Sequence, residues 1–322
     1  MDFNLSPSQL EYQRRAQALA RELPPGADAN TIVSRAARAG LVDSGGDLLA
    51  AVVAVEAMAW ESAGAGMAMA IHIGVTAGLD GGDEARALSR GEIAGAIALS
   101  SDEVPATDDG VLSGRASWVM PLTQRGLVIV GVRERGTLTA AAVRLDAEGV
   151  EQEPVETAGL SGLVSGHVRF DRARFMAAGA TLPFMCRVRV LLAAAGLGMG
   201  RRALDEALAV ARRRRERGAG GEQTVQGLLA DAATELDAAR LLIWKAASAP
   251  VLSLANASMA KLLATDATQR AVARATQVVG ADSFRAGHII ERLAQDVRAL
   301  ELFAGRTEAL REAVALDTLP RP

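Results

Sequence analysis

Three features of the chain combine residue types and spacings that could do chemistry. Gly280-Ala281-Asp282 interrupts a helical pattern, and a glycine there lets backbone come close to a ligand. Residues 212–217 (RRRRER) form a basic run. It fits an anion site or a solvated helix end, where cations favour the C-terminal dipole. Cys186 is the only cysteine, so neither a disulfide framework nor a thiolate metal cluster is expected. A buried apolar role suits it better than a reactive thiol, and no metal ligand set stands out.

These residues need a scaffold, and composition bounds it. A chain of 322 residues suggests two or three domains, or one helical body with an inserted unit. Half the residues are apolar and only 3% aromatic, which favours a large helical core. A net charge of −3 gives no reason to expect nucleic acid or an anionic membrane as partner. The opening MDFNLSPSQLEYQRR lacks the apolar core of a signal peptide. Apolar stretches such as 48–55 fall short of the roughly 20 residues that span a bilayer. A soluble, cytoplasmic protein is expected.

Apolar periodicity predicts helices over 10–23, 30–39, 47–63, 67–79 and 83–89, the first capped by Ser6 or Ser8 and ended by Pro24-Pro25. The texture then changes to short or alternating apolar runs at 93–99, 114–119, 127–132, 137–145 and 167–170. Turns are expected at Asp108-Asp109-Gly110 and Glu134-Arg135-Gly136. Helical pattern returns at 188–213, 222–247, 253–279 and 289–303, the last stopping at Gly305. The stripe Ala193, Ala194, Gly196, Gly198 and Gly200 suits either a tight bundle or a ligand lying alongside. The predicted fold is mainly α with an inserted β domain. It comprises an N-terminal helical domain (1–92), a middle antiparallel β domain (93–176) and a C-terminal four-helix bundle (177–322).

The order of residues 277–306 resembles the carboxyl-terminal signature of the acyl-CoA dehydrogenase family. Gln277-Val278-Val279-Gly280-Ala281, Gln295-Asp296 and Phe303-Ala304-Gly305-Arg306 stand where that family has Gln-apolar-apolar-Gly-Gly, Arg-Asp and aromatic-Glu-Gly-Thr. Shorter fragments keep the family's order along nearly the whole chain: residues 1–22, 88–99 (LSRGEIAGAIAL), 159–175 (GLSGLVSGHVRFDRARF), 201–207 (RRALDEA), 229–242 (LADAATELDAARLL) and Ala260-Lys261.

The resemblance implies FAD between the β domain and the bundle, with its diphosphate and adenosine clasped by a neighbouring subunit. It also implies an acyl-CoA or carrier-bound acyl thioester as substrate, an oligomer, and an electron-transfer flavoprotein as partner. Arg214 opens R-x-x-R-G where the family has Arg-x-x-Phe-Gly, and a planar fork of donors suits a diphosphate. Gln223, Gln277 and Gly280 match cofactor-side positions, and ordinary helix surface is the other reading of the two glutamines. Residues 99–105 (LSSDEVP) replace the family's Thr-Glu-Pro and Gly-Ser-Asp segment. Trp118-Val119-Met120 replaces Trp-Ile-Thr or Trp-Ile-Ser, and Trp118 reads equally as a flavin contact or as β-domain core. Arg189 matches an Arg close to the acyl substrate at the start of the long helix. As an N-terminal surface residue it would sit unfavourably beside the helix dipole.

Dehydrogenation needs a base for the α-proton. The family's Glu falls on Ala304 or, for branched-chain members, on Val188, and neither side chain accepts a proton. Glu301, Glu308 and Glu206 read mainly as solvated carboxylates, so no catalytic residue is assigned. Three readings follow: a flavoenzyme with a displaced base or a related reaction; a non-catalytic partner subunit of a hetero-oligomeric acyl-CoA dehydrogenase that completes the FAD site; and a scaffold that has lost FAD.

Overall fold

The computed structural model describes residues 4–43, 46–98, 110–134, 137–160, 162–178, 181–218 and 223–319. Helices begin where short polar side chains can cap them. Ser6 forms a capping box with Gln9 at α1 (Pro7–Glu22), accepting from its N–H at 3.2 Å while the Gln9 Oε1 accepts from Ser6 N–H at 2.9 Å. Asp28, Asp47 and Ser62 cap α2 (Ala29–Arg38), α3 (Leu48–Glu61) and α4 (Ala63–Thr76). α3 and α4 are apolar on most sides and almost wholly buried, and α5 (Gly82–Ser89) follows. His72 of α4 is fully buried where this domain meets the next. Its Nδ1 accepts from Gly95 N–H at 3.0 Å, so the ring proton is on Nε2 and donates to Leu88 O at 3.1 Å.

The β domain is two small sheets. One has the order β1 (Ala94–Ala98), β3 (Gly126–Glu134), β4 (Thr137–Arg144), β7 (Met176–Ala177); the other is β2 (Val111–Val119), β6 (Ser165–Arg174), β5 (Val150–Val155). Antiparallel pairing is the rule, but β1 runs parallel to β3, from Ala94↔Gly126 to Ala98↔Val130. Val128, Val130 and Val143 of the first sheet pack on Leu112, Val168 and Phe170 of the second. β5 and β7 are strands that the periodicity does not announce. β5 (VEQEPV) holds few apolar residues and carries a proline at the edge of its sheet. Asp108, Asp109, Arg135 and Gly136 of the expected turns lie outside the described residues.

The bundle is built on α6 (Thr181–Glu216), which packs chiefly on α8 (Leu254–Val279), with α7 (Gln223–Ala247) alongside. The fourth long helix is not 289–303. That segment divides into α9 (Ile289–Asp296) and α10 (Ala299–Leu302), and α11 (Thr307–Thr318) packs on α8 instead. The division falls at Asp296, whose Oδ1 accepts the Leu160 N–H of the β-domain loop at 2.5 Å. The small-residue stripe serves helix packing. A Cβ on Gly196 would lie 2.8 Å from Leu300, on Gly198 2.3 Å from Glu56 O, and on Gly200 2.6 Å from Leu236. Buried Glu56 accepts from Arg201 at 3.1 Å and Arg240 at 2.6 Å, tying α3 to α6 and α7. α6 is long and apolar enough to cross a membrane, contrary to the expectation from shorter apolar runs. However, 78% of its apolar stretch is buried inside the fold, which makes it the core helix of the bundle.

Candidate functional site

The first cluster lies where α6 and α8 end together. Arg214, in the last turn of α6, donates from Nη1 to Val278 O at 2.5 Å and from Nη2 to Val279 O at 2.9 Å. A cation on these last carbonyls satisfies the helix end and its dipole. Gly280 follows with φ +76°, and a Cβ there would meet only Arg214 Nη2, at 3.6 Å. Arg214 and Gly280 therefore meet in an open corner, with Gln277 exposed on α8 just before it. The predicted turn is a 3-10 helix, Gly280–Phe284. Gln223 is exposed at the first residue of α7 and makes no side-chain hydrogen bond to this corner among the described residues. Residues 212–215 are exposed at the helix end.

The second cluster is on the β domain. Trp118 has φ +57° and sits at a register irregularity between Ala116 and Val119. The indole is 49% exposed, so it is not part of the β-domain core. The backbone N–H of Trp118 donates to His167 Nδ1 at 3.4 Å, and the two rings meet edge-on with centroids 5.5 Å apart. Val119 and Met120 beside it are buried. Residues 99–105 lie outside the described residues.

The donor chemistry of these two clusters fits FAD. Arg214 keeps three of its five N–H donors beyond the two carbonyl bonds. The backbone at Gly280 is open to a bulky anion, and Trp118 offers an aromatic face to a flat ring. Within one chain the clusters belong to separate elements: β2 packs on β6 and β1, whereas Arg214 and Gly280 belong to the α6–α8 end.

The third cluster surrounds Ala304. Because α6 starts at Thr181, Arg189 lies two turns inside the helix rather than at its N-terminus. It is 7% exposed, so the surface reading fails, and the dipole argument loses its force. Its Nε donates to Ala304 O at 2.9 Å and its Nη1 to Ser258 Oγ at 2.8 Å. Burial lowers its pKa, although a guanidinium stays charged. Ala304 is buried with φ +60°, a left-handed conformation that a non-glycine residue adopts at a cost. Val188 is fully buried and packs at the position of Gly74. Glu301 and Glu308 are exposed, and Glu206 lies 3.9 Å from Arg213; none hydrogen-bonds to Arg189. Cys186 is buried and its thiol pKa is raised by that burial, which leaves it unreactive. Ser258 escapes sequence reasoning, since only its place one turn before Lys261 could have drawn notice. Among the described residues no group of three or more metal-binding side chains occurs.

Residues 180–318 match the family described as acyl-CoA dehydrogenase, C-terminal domain. The chain is 28% identical over 236 residues to the probable acyl-CoA dehydrogenase YngJ of Bacillus subtilis (strain 168), covering 66% of this chain and 62% of that protein. It is 35% identical over 131 residues to the 3-sulfinopropanoyl-CoA desulfinase of Paraburkholderia xenovorans (strain LB400), covering 39% and 34%. It therefore spans less than two thirds of these relatives. The fold superposes on butyryl-CoA dehydrogenase from Megasphaera elsdenii with a TM-score of 0.89 and 20% identity, covering 99% of this chain and all of that one. Residues 180–318 thus match the C-terminal domain of acyl-CoA dehydrogenases, and the chain as a whole has the fold of an acyl-CoA dehydrogenase.

Proposed function

We propose that the chain is an FAD-binding flavoprotein acting on an acyl thioester, by α,β-dehydrogenation or a related reaction, in the cytoplasm. The observation that carries this reading is the Arg214–Gly280 corner. There a guanidinium with spare donors meets backbone open enough for a diphosphate. Trp118 would lie against the flavin, and Gln223 and Gln277 would flank the adenosine side. Because the corner and Trp118 sit on separate elements, an oligomer would join one chain's corner to another's β domain. FAD when bound would supply the hydride acceptor. Arg189 would hold the turn at Ala304 beside the acyl group. With Ala304 and Val188 at the base positions, the reaction would need a carboxylate from elsewhere or no α-proton removal. A relative named as a desulfinase is consistent with the second route. An electron-transfer flavoprotein would be the redox partner of a dehydrogenating form.

The test is the absorption spectrum of purified protein, alone and after incubation with FAD and gel filtration. Retained flavin absorbance near one equivalent per chain supports the reading. Colourless protein that cannot be loaded refutes it and leaves the scaffold without FAD.

The buried methyl of Ala304 favours a second reading, a non-catalytic partner subunit. It predicts flavin binding and turnover only after mixing with a catalytic acyl-CoA dehydrogenase chain. Full activity of this chain alone would exclude it.

A further inference from the structure

Two cations are buried under the same short turn, and among the described residues no carboxylate bonds to either of them. Lys261 of α8 is fully buried. Its Nζ donates to Leu300 O and, at 3.4 Å, to Thr265 Oγ1. Arg189 of α6 donates to Ala304 O, four residues further on, and to Ser258. Helices α6 and α8 thus each send one side chain to a carbonyl at one end of the 300–304 segment.

Neutral donors could tie these carbonyls at far less cost, since a buried cation without a counter-ion carries a desolvation penalty of several kcal/mol. The penalty is visible at Lys261. Burial, with a smaller contribution from Arg189, pushes its pKa down to about 7, and Glu301 opposes the shift from an exposed position. Ala304, whose own carbonyl is the second anchor, has a left-handed backbone. Strain and unpaired charge in one place are the features of a site rather than of a simple core.

We propose that Lys261 is a positioning residue: with Arg189 it clamps the Leu300–Gly305 turn by its carbonyls and keeps positive charge beneath residue 304, so that the turn favours an anionic oxygen there. Under the flavoprotein reading, on which only the ligand's identity rests, that oxygen belongs to the acyl ligand.

Ala304→Asp and Ala304→Asn differ in charge and hardly in shape, and both side chains tolerate a left-handed backbone. Urea unfolding at pH 6, below the Lys261 pKa of about 7 so that the ammonium is charged, is measured for each, with Lys261 intact and with Lys261→Met. The expected folding constant of A304D is at least tenfold above that of A304N, and K261M shrinks this ratio at least tenfold. A ratio near one, or a ratio untouched by K261M, overturns the proposal. So does an A304D that fails to fold where A304N folds. A lysine with a purely structural role shifts both variants equally and leaves the ratio alone. Should neither Ala304 variant fold, thermal unfolding in acetate and in chloride at equal ionic strength takes their place. Acetate should raise Tm in the wild type and not in K261M, and equal responses overturn the proposal. No arm uses FAD, so this cycle and the flavin spectrum fail independently.

Discussion

His72→Phe tests how the helical domain is joined to the β domain. The neutral imidazole accepts from Gly95 N–H and donates to Leu88 O in a fully buried setting. Burial holds its pKa at about 4, against an ordinary value of 6.5, despite the opposing hydrogen bond to Leu88. The unfolded chain takes up this proton near pH 6.5, and the folded chain refuses it until about pH 4. Stability from this group is therefore complete above pH 6.5, falls as pH drops, and is lost by about pH 4. The shift is worth about 3 kcal/mol. Phenylalanine fills much the same space but strands one donor and one acceptor, each costing about 1–3 kcal/mol. Urea unfolding at pH 7.5, 6, 5 and 4 should show H72F less stable than wild type at pH 7.5, by about 2–6 kcal/mol. The gap should narrow by about 3 kcal/mol toward pH 4. A constant gap at every pH would refute the assignment of this acid sensitivity to His72.

Glu56→Gln leaves Arg240 and Arg201 without their shared carboxylate and should cost about 3 kcal/mol in urea unfolding at neutral pH. Arg214→Ala frees the last carbonyls of α8 and should cost about 1–3 kcal/mol. If the same guanidinium clasps the diphosphate, fluorescence titration should show FAD affinity at least tenfold weaker in R214A. Exposed Arg212→Ala is the control, and equal effects of the two would remove Arg214 from the site.

Much of the fold was legible because its signals are local. Ser6, Asp47 and the runs that follow them place α3 within two residues and α1 within three. α11 was not legible, since only Leu310 and Ala313 of its twelve residues are buried and no apolar stripe stands out. α6 starts at Thr181, seven residues before the predicted 188–213, and Pro183 is tolerated there because a proline in a first turn gives up no helical hydrogen bond. At the candidate site the matched residues named positions but not surroundings. The exposure of Trp118 depends on a backbone irregularity, and the burial of Arg189 on helix packing. Lys261 read only as a family match, because a lysine in a helical pattern implies solvent until its neighbours are known.

The loop before β6 couples two regions that could otherwise be tuned apart. Gly159 has no room for a side chain, since a Cβ would lie 2.7 Å from Gln295 O, and Leu160 N–H is held by Asp296. The same loop leads into β6, which carries His167 against Trp118, while Asp296 lies eight residues before Ala304. The strand beside the indole and the helix before the Ala304 turn thus share a contact in this loop. A change at Gly159 should disturb both ends at once, so variation at this loop acts on the two halves of the site as a unit.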